Sequence, residues 1–181
     1  MYWGNSDTTI NFCEPKYEKK YWISEYYNTL SSFFYIAAIL PFWRTQNMIL
    51  FLSGLGIGVG SIILHGTGRF YGQYIDEISM LIFTHTLLKK YDPNTPNCLL
   101  YLIIFYFIFS ENFLFFFGLF IFYNIRFFYL FQHKSYQMCI SVLSTLCWCI
   151  DQLCIYPINF HIWWHFLTSI SIYIFMLNIP Q

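Results

Sequence analysis

The chain has 181 residues, 57% hydrophobic, 24% aromatic and only 10% charged, with a formal net charge of zero. A soluble domain carries about a quarter charged residues, so this chain cannot cover itself with polar surface in water, and the lack of a basic block excludes a nucleic-acid footprint. It reads as an all-α, multi-span membrane protein folded as one domain over 1–181.

Residues 1–24 form a polar N-terminal arm carrying Asp7, Glu14, Lys16, Glu18, Lys19 and Lys20. The arm has no apolar h-region, so no cleavable signal peptide is expected, and the first span serves as the insertion signal. Seven apolar segments follow, at 25–43, 47–66, 73–90, 97–110, 112–131, 136–155 and 159–178. Crossing a bilayer takes about 20 apolar residues as a helix. The fourth segment is short. Its junction with the fifth, Ser110-Glu111-Asn112, is a tight turn unless 97–131 divides differently. The connections at 44–46, 68–72, 91–96, 132–135 and 156–158 are brief, which favours antiparallel neighbours. The second span carries Gly54, Gly56, Gly58 and Gly60. Small residues four apart let helices approach closely in lipid. This glycine face is expected to draw His65 toward span seven, as well as to pack tightly.

With seven spans, even-numbered crossings return to the side of the arm. Ser61 and His65 come late in span two, Asp76 early in span three, and His161 and His165 early in span seven. All five therefore fall at one depth near the arm side. His161 and His165 stand four apart, one turn above each other on a helical face, and Ser61 and His65 share the same spacing. A His pair alone reads as packing or helix–helix hydrogen bonding. Three histidines in one layer suit zinc, which in catalytic sites takes three protein ligands and keeps one position for water. Zinc lowers the pKa of that water to about 7 and polarises a carbonyl. In this reading Asp76 is the general base and then acid, and Ser61 donates to the developing oxyanion. The competing reading of Ser61 is a back-bond to its own helix. Such a site hydrolyses an amide or ester borne by a lipid.

Asp76 and Glu77 are about 100° apart on a helix, so at most one points at the metal; spacing does not say which, and the other meets the interface or the arm. Asp151 lies at the right depth to accept from a zinc-bound histidine, or else meets interfacial water. His85 and His133 are read as non-ligands, and Arg126 as snorkelling to the far interface. The cysteines, Cys13, Cys98, Cys139, Cys147, Cys149 and Cys154, contain no C-x-x-C pair. Cys13 and Cys154 share the arm side, where they pair only if that side faces an oxidising lumen; free thiols are the alternative. Basic residues balance on the two sides, so the positive-inside rule leaves orientation open.

The order Ser61-x-x-x-His65, Asp76-Glu77, His161-x-Trp163-Trp164-His165 resembles the alkaline ceramidases, seven-span zinc hydrolases grouped with adiponectin receptor-like proteins. Tyr2-Trp3-Gly4, Phe12-Cys13-Glu14, Ile23-Ser24-Glu25-Tyr26-Tyr27-Asn28-Thr29 and Trp148-Cys149-Ile150-Asp151 are similar to further motifs of that family. The likeness is collinear from residue 2 to about 173 and rests on hydropathy alone from about 92 to 145. It implies that His65, His161 and His165 bind zinc, that Ser61 and Asp76 serve catalysis, and that ceramide is the substrate. It selects Asp76 over Glu77 and favours a Cys13–Cys154 disulfide. It further implies a membrane of the endoplasmic reticulum or Golgi type.

The family also has a calcium site, which by position falls on Asn11, the main chain of Phe12, Glu14, Lys16 and Glu25. Here Asn11 replaces an Asp and Lys16 an Asn. Calcium wants oxygen ligands, and carboxylate charge tunes its affinity. Weak or absent calcium binding is therefore expected, with Lys16 pairing Glu14 or Glu25 in place of the ion. The chain is also short for the family, and a tail after span seven that carries a targeting signal is expected to be missing. Two other readings remain: a different lipid amide or ester hydrolase of the same group, and a seven-span receptor or scaffold with structural zinc. A transporter fits least, because the polar residues share one depth instead of lining a path.

Overall fold

The computed structural model describes residues 2–108, 113–131, 135–154 and 159–179. The 110–112 junction, His133 and the 156–158 connection lie outside the described residues, as does the side chain of Cys98. The described residues form seven α-helices: α1 Tyr26–Ile39, α2 Met48–Thr67, α3 Phe70–Tyr91, α4 Cys98–Ile108, α5 Phe113–Phe131, α6 Ser135–Asp151 and α7 Phe160–Leu177. Met48–Thr67, Phe113–Leu130 and Phe160–Leu177 are long and apolar enough to cross a membrane. The helices match the seven apolar segments in order. α6 ends earlier than expected, at Asp151, and residues 152–154 form turns.

Local chemistry sets the boundaries. After α1 the chain tightens into a 3₁₀ turn at Leu40–Phe42, where Pro41 supplies no N–H to an α-helical ladder. Asn47 caps α2 by accepting from Leu50 N–H. Gly68, at φ 67, closes α2 in the left-handed region, where a side chain is disfavoured. Asn159 caps α7 by accepting from the N–H groups of His161 and Ile162.

α2 packs between α1 and α3, α7 lies against α1 and α6, and α4 and α5 cover α3. The glycines of α2 explain its central place, though not as expected. A Cβ on Gly60 would lie 2.4 Å from Asp76 N, and one on Gly72 of α3 would lie 2.4 Å from Leu64 N. Gly54 and Gly58 face Ile39 and Ile36 of α1 instead. The glycines therefore close α2 on α1 and α3, not on α7. They set the position of Asp76 directly, because the two backbones touch there.

The arm lies over one end of the bundle. Ser24 N–H donates to Gly66 O and Glu25 N–H to His65 O, both at 2.8 Å. Asp7 accepts from Phe70 N–H at 2.6 Å and pairs with Arg69 at 2.9 Å, placing a carboxylate at the positive end of α3. Cys13 and Cys154 are joined as a disulfide, tying the arm to the chain just past α6. Cys139, Cys147 and Cys149 are free thiols. At the opposite end, Arg126 does not reach out alone. It pairs with Asp92 at 2.7 Å, because the turn after α3 brings a carboxylate within its reach.

Candidate metal centre

His65 comes from the last turn of α2, and His161 and His165 from the first turns of α7. The three are only 1%, 3% and 2% exposed. Their ring centroids are 4.5–5.2 Å apart, and one nitrogen from each lies within 4.8 Å of the others, a spacing that can hold a metal ion. Three edge-on imidazoles are a poor packing motif in an apolar bundle, because each buries polar atoms that need partners.

The partners sit behind the rings. Glu25 Oε2 accepts from His65 Nδ1 at 2.6 Å. Ser31 Oγ is 2.7 Å from His165 Nδ1. Ser31 also donates to Asn28 O at 3.0 Å, which leaves its oxygen to accept from the ring. Asp151 Oδ2 stands 3.4 Å from His161 Nδ1, and its Oδ1 accepts from His161 N–H at 3.1 Å. A carboxylate or hydroxyl bonded to Nδ1 of His65 and of His165 fixes those two rings and their tautomers and turns Nε2 toward the shared centre, while Asp151 holds the main chain of His161 and faces its Nδ1 without a hydrogen bond. His65 Nε2 is buried with no hydrogen-bond partner. That orphaned nitrogen fits a metal ligand. Three neutral imidazoles with one position open is also the donor set of a hydrolytic zinc site.

Behind this layer Asn28, fully buried, joins the parts. It donates to Glu25 at 3.1 Å and accepts from Asn159 at 3.0 Å. Its carbonyl receives both Ser31 and Ser32. Ser61 Oγ lies 2.8 Å from Ser32 Oγ and 3.4 Å from His165 Nε2. Since Ser32 already donates to Asn28 O, the Ser61 hydroxyl donates to Ser32.

Asp76 and Glu77 part company. Glu77 accepts from Gln73 at 2.7 Å and from the Tyr106 hydroxyl of α4. Gln73 in turn accepts from Thr9 N–H of the arm at 2.8 Å. Asp76 Oδ1 is buried and has no hydrogen-bond partner. Asp76, His161 and His165 line one small cavity of about 40 Å³. A larger cavity of about 340 Å³ continues between α3, α5, α6 and α7, and the two share Tyr35, Met80, Phe120 and Trp164 as a common wall. His85 stays apart, 3.0 Å from the Tyr123 hydroxyl.

The residues on which the family's calcium site falls by position make contacts within the protein. Phe12 stacks edge-on against His65 and His161, with centroids 4.6 Å away in both cases. Glu14 accepts from the N–H groups of Tyr27 and Asn28 at 2.7 and 2.8 Å, capping α1 from a distance. Burial pushes the Glu14 carboxyl up from the usual carboxylate range, against the pull of those two amides. Asn11 is exposed. Lys16 forms no ion pair with Glu14 or Glu25 among the described residues, contrary to expectation, because backbone amides hold Glu14 while His65 and Asn28 hold Glu25.

The sequence reading missed Glu25 and Ser31 as partners of the histidines. A signal was present: Asn28, Ser31 and Ser32 recur at helical spacing as a polar stripe in an apolar span, and such a stripe must face the bundle interior.

The family described as Ceramidase matches residues 4–180. Among curated proteins, an alkaline ceramidase of Saccharomyces cerevisiae is 33% identical over 87 residues, 44% of this chain and 28% of that protein. The alkaline ceramidase of Arabidopsis thaliana is 28% identical over 104 residues, covering 53% and 40%. Alkaline ceramidase 3 of Mus musculus is 27% identical over 88 residues, covering 44% and 33%. The chain thus spans well under half the length of the curated relatives it matches.

Proposed function

We propose that this chain, which belongs to the ceramidase family, hydrolyses the amide bond of ceramide to a sphingoid base and a fatty acid within the membrane. The observation that carries this reading is the junction of two cavities. Two of the three clustered histidines, His161 and His165, and Asp76, whose Oδ1 is unpartnered, line a small cavity that shares Tyr35, Met80, Phe120 and Trp164 with an apolar cavity large enough for a lipid chain. Pockets for small ligands run to about 300–1,000 Å³.

His65, His161 and His165 would hold zinc, which when bound supplies a Lewis acid for the carbonyl and a more acidic water. Asp76 takes the proton of the attacking water as its oxygen bonds the carbonyl carbon. It then returns that proton to the nitrogen as the C–N bond breaks. Ser61 turns its hydroxyl from Ser32 to the developing oxyanion. Asp151, Glu25 and Ser31 keep the three rings aimed. Phe12 and the arm close the polar end to bulk water. The apolar cavity takes a hydrocarbon chain. The chain acts as one seven-span domain. The disulfide supports an arm that faces an oxidising lumen, as in membranes of the endoplasmic reticulum or Golgi type.

The test is release of free sphingoid base from a panel of ceramides by the purified protein beside His161→Ala. Release by the wild type that vanishes in the variant is expected. Equal release from both removes the mechanism, and none from either removes the activity.

A further inference from the structure

The larger cavity holds one group that ceramide hydrolysis does not use. Gln137, near the start of α6, lines it and is 2% exposed. Neither its side-chain oxygen nor its nitrogen has a hydrogen-bond partner. Ser141 meets Ser171 at 3.0 Å, Ser144 and Thr145 donate to Ser141 O, and Asn124 donates to Phe120 O; on the α7 side of the same cavity the Thr168 hydroxyl is also without a hydrogen-bond partner. A buried primary amide with both ends free is rare, because each unmade bond is costly.

Position and chemistry narrow what it can meet. Gln137 lies 14 residues before Asp151 on α6, about 21 Å along the axis at 1.5 Å per residue. Asp151 touches His161 of the metal centre. The amide therefore sits about one extended long acyl chain away from the reacting carbonyl. Among the described residues no Asp, Glu, Lys, Arg or His lines this cavity, so a charged group finds no counterpart among them. A carboxamide both donates and accepts. Its best neutral complement in an apolar channel is a hydroxyl, which does the same.

We propose that Gln137 is a specificity residue that binds a hydroxyl carried on the distal part of a substrate hydrocarbon chain. The inference rests on the hydrolase reading for the chain's presence and on the orphaned amide for the hydroxyl. A plain alkyl chain leaves Gln137 unpartnered, whereas a chain oxygenated near its far end satisfies it.

The test compares wild type with Gln137→Leu on three ceramides of equal length: one with plain chains, one with a terminal hydroxyl on the acyl chain, and one with a terminal hydroxyl on the sphingoid chain. For one of the hydroxylated substrates the wild type is expected to show kcat/KM about tenfold above plain ceramide, the scale of one buried hydrogen bond. Gln137→Leu is expected to lose that preference. Which arm responds identifies the chain that enters the cavity. Equal rates on all three substrates in the wild type, or an unchanged preference in the variant, overturn the proposal while leaving the hydrolase reading intact. A second readout covers failure of hydrolysis itself: the thermal shift given by a long-chain fatty acid and by its terminal-hydroxy derivative. A larger shift with the hydroxy acid in wild type alone supports the proposal, and equal shifts overturn it. If Gln137→Leu does not fold, the wild-type comparisons decide alone.

Discussion

The two ends of the bundle are built on opposite principles. At the arm end helices touch backbone to backbone, and polar groups bond one another around a centre where His65 Nε2 and Asp76 Oδ1 stay without a hydrogen bond. Glu14, Asn28, Glu25 and Ser31 form a connected network behind His65 and His165, and Asp151 holds the main chain of His161. Toward the other end, between α5 and α6, side chains stand apart around about 340 Å³, and Gln137 is left without a partner. Glycine shows a second contrast, between a helix contact and an exposed helix face: a Cβ on Gly60 collides with Asp76, whereas one on Gly118 of α5 meets nothing within 4 Å. The difference fits a division of labour in which one end holds reacting groups rigidly and the other makes room for a flexible lipid chain.

The comparison can be broken at its rigid end first. Asp76→Asn should lower kcat by about 10²–10⁴-fold, the usual worth of a general acid–base group, with little change in KM. A variant within threefold of wild type would free Asp76 from that role. The glycine contrast predicts opposite signs for one chemical change. Gly60→Ala should destabilise by about 1–3 kcal/mol through overpacking, and Gly118→Ala should stabilise by about 0.5–1 kcal/mol through helix propensity. Thermal melts of both in one detergent compare them; shifts of the same sign would erase the distinction between a glycine at a helix contact and one on an exposed face. The smallest expected effect is that of calcium. Glu14 and Glu25 are engaged by the protein itself, so a calcium titration should leave the melting temperature flat. A saturable rise at micromolar calcium would restore an ion to the arm.

Much of the candidate site was legible in the sequence because depth in a membrane bundle follows from span order alone. Late span two, early span three and early span seven had to share a layer, and the spacing of His161 and His165 put both on one face. Rotation about each helix axis was not legible in this way. Whether Asp76 or Glu77 faces the histidines turns on about 100° of rotation, and it took Gln73 and Tyr106 to show where Glu77 goes. The roles of Glu25 and Ser31 depend on how α1 is rotated against α2 and α7. The glycines of α2 were read correctly as contact residues and assigned to the wrong neighbour, since periodicity marks a face without naming what packs on it. Gln137 has no sequence signature, because an orphaned amide is defined only by what surrounds it.

The central claim is that three histidines, each held from behind, form a zinc site. Metal analysis of the purified protein tests it most directly, with wild type measured beside His161→Ala and Glu25→Gln. About one zinc per chain in wild type, loss in His161→Ala, and affinity weakened about 10–100-fold in Glu25→Gln are predicted. Full zinc retention in His161→Ala, or no zinc in a wild-type protein that still releases sphingoid base, would contradict the account.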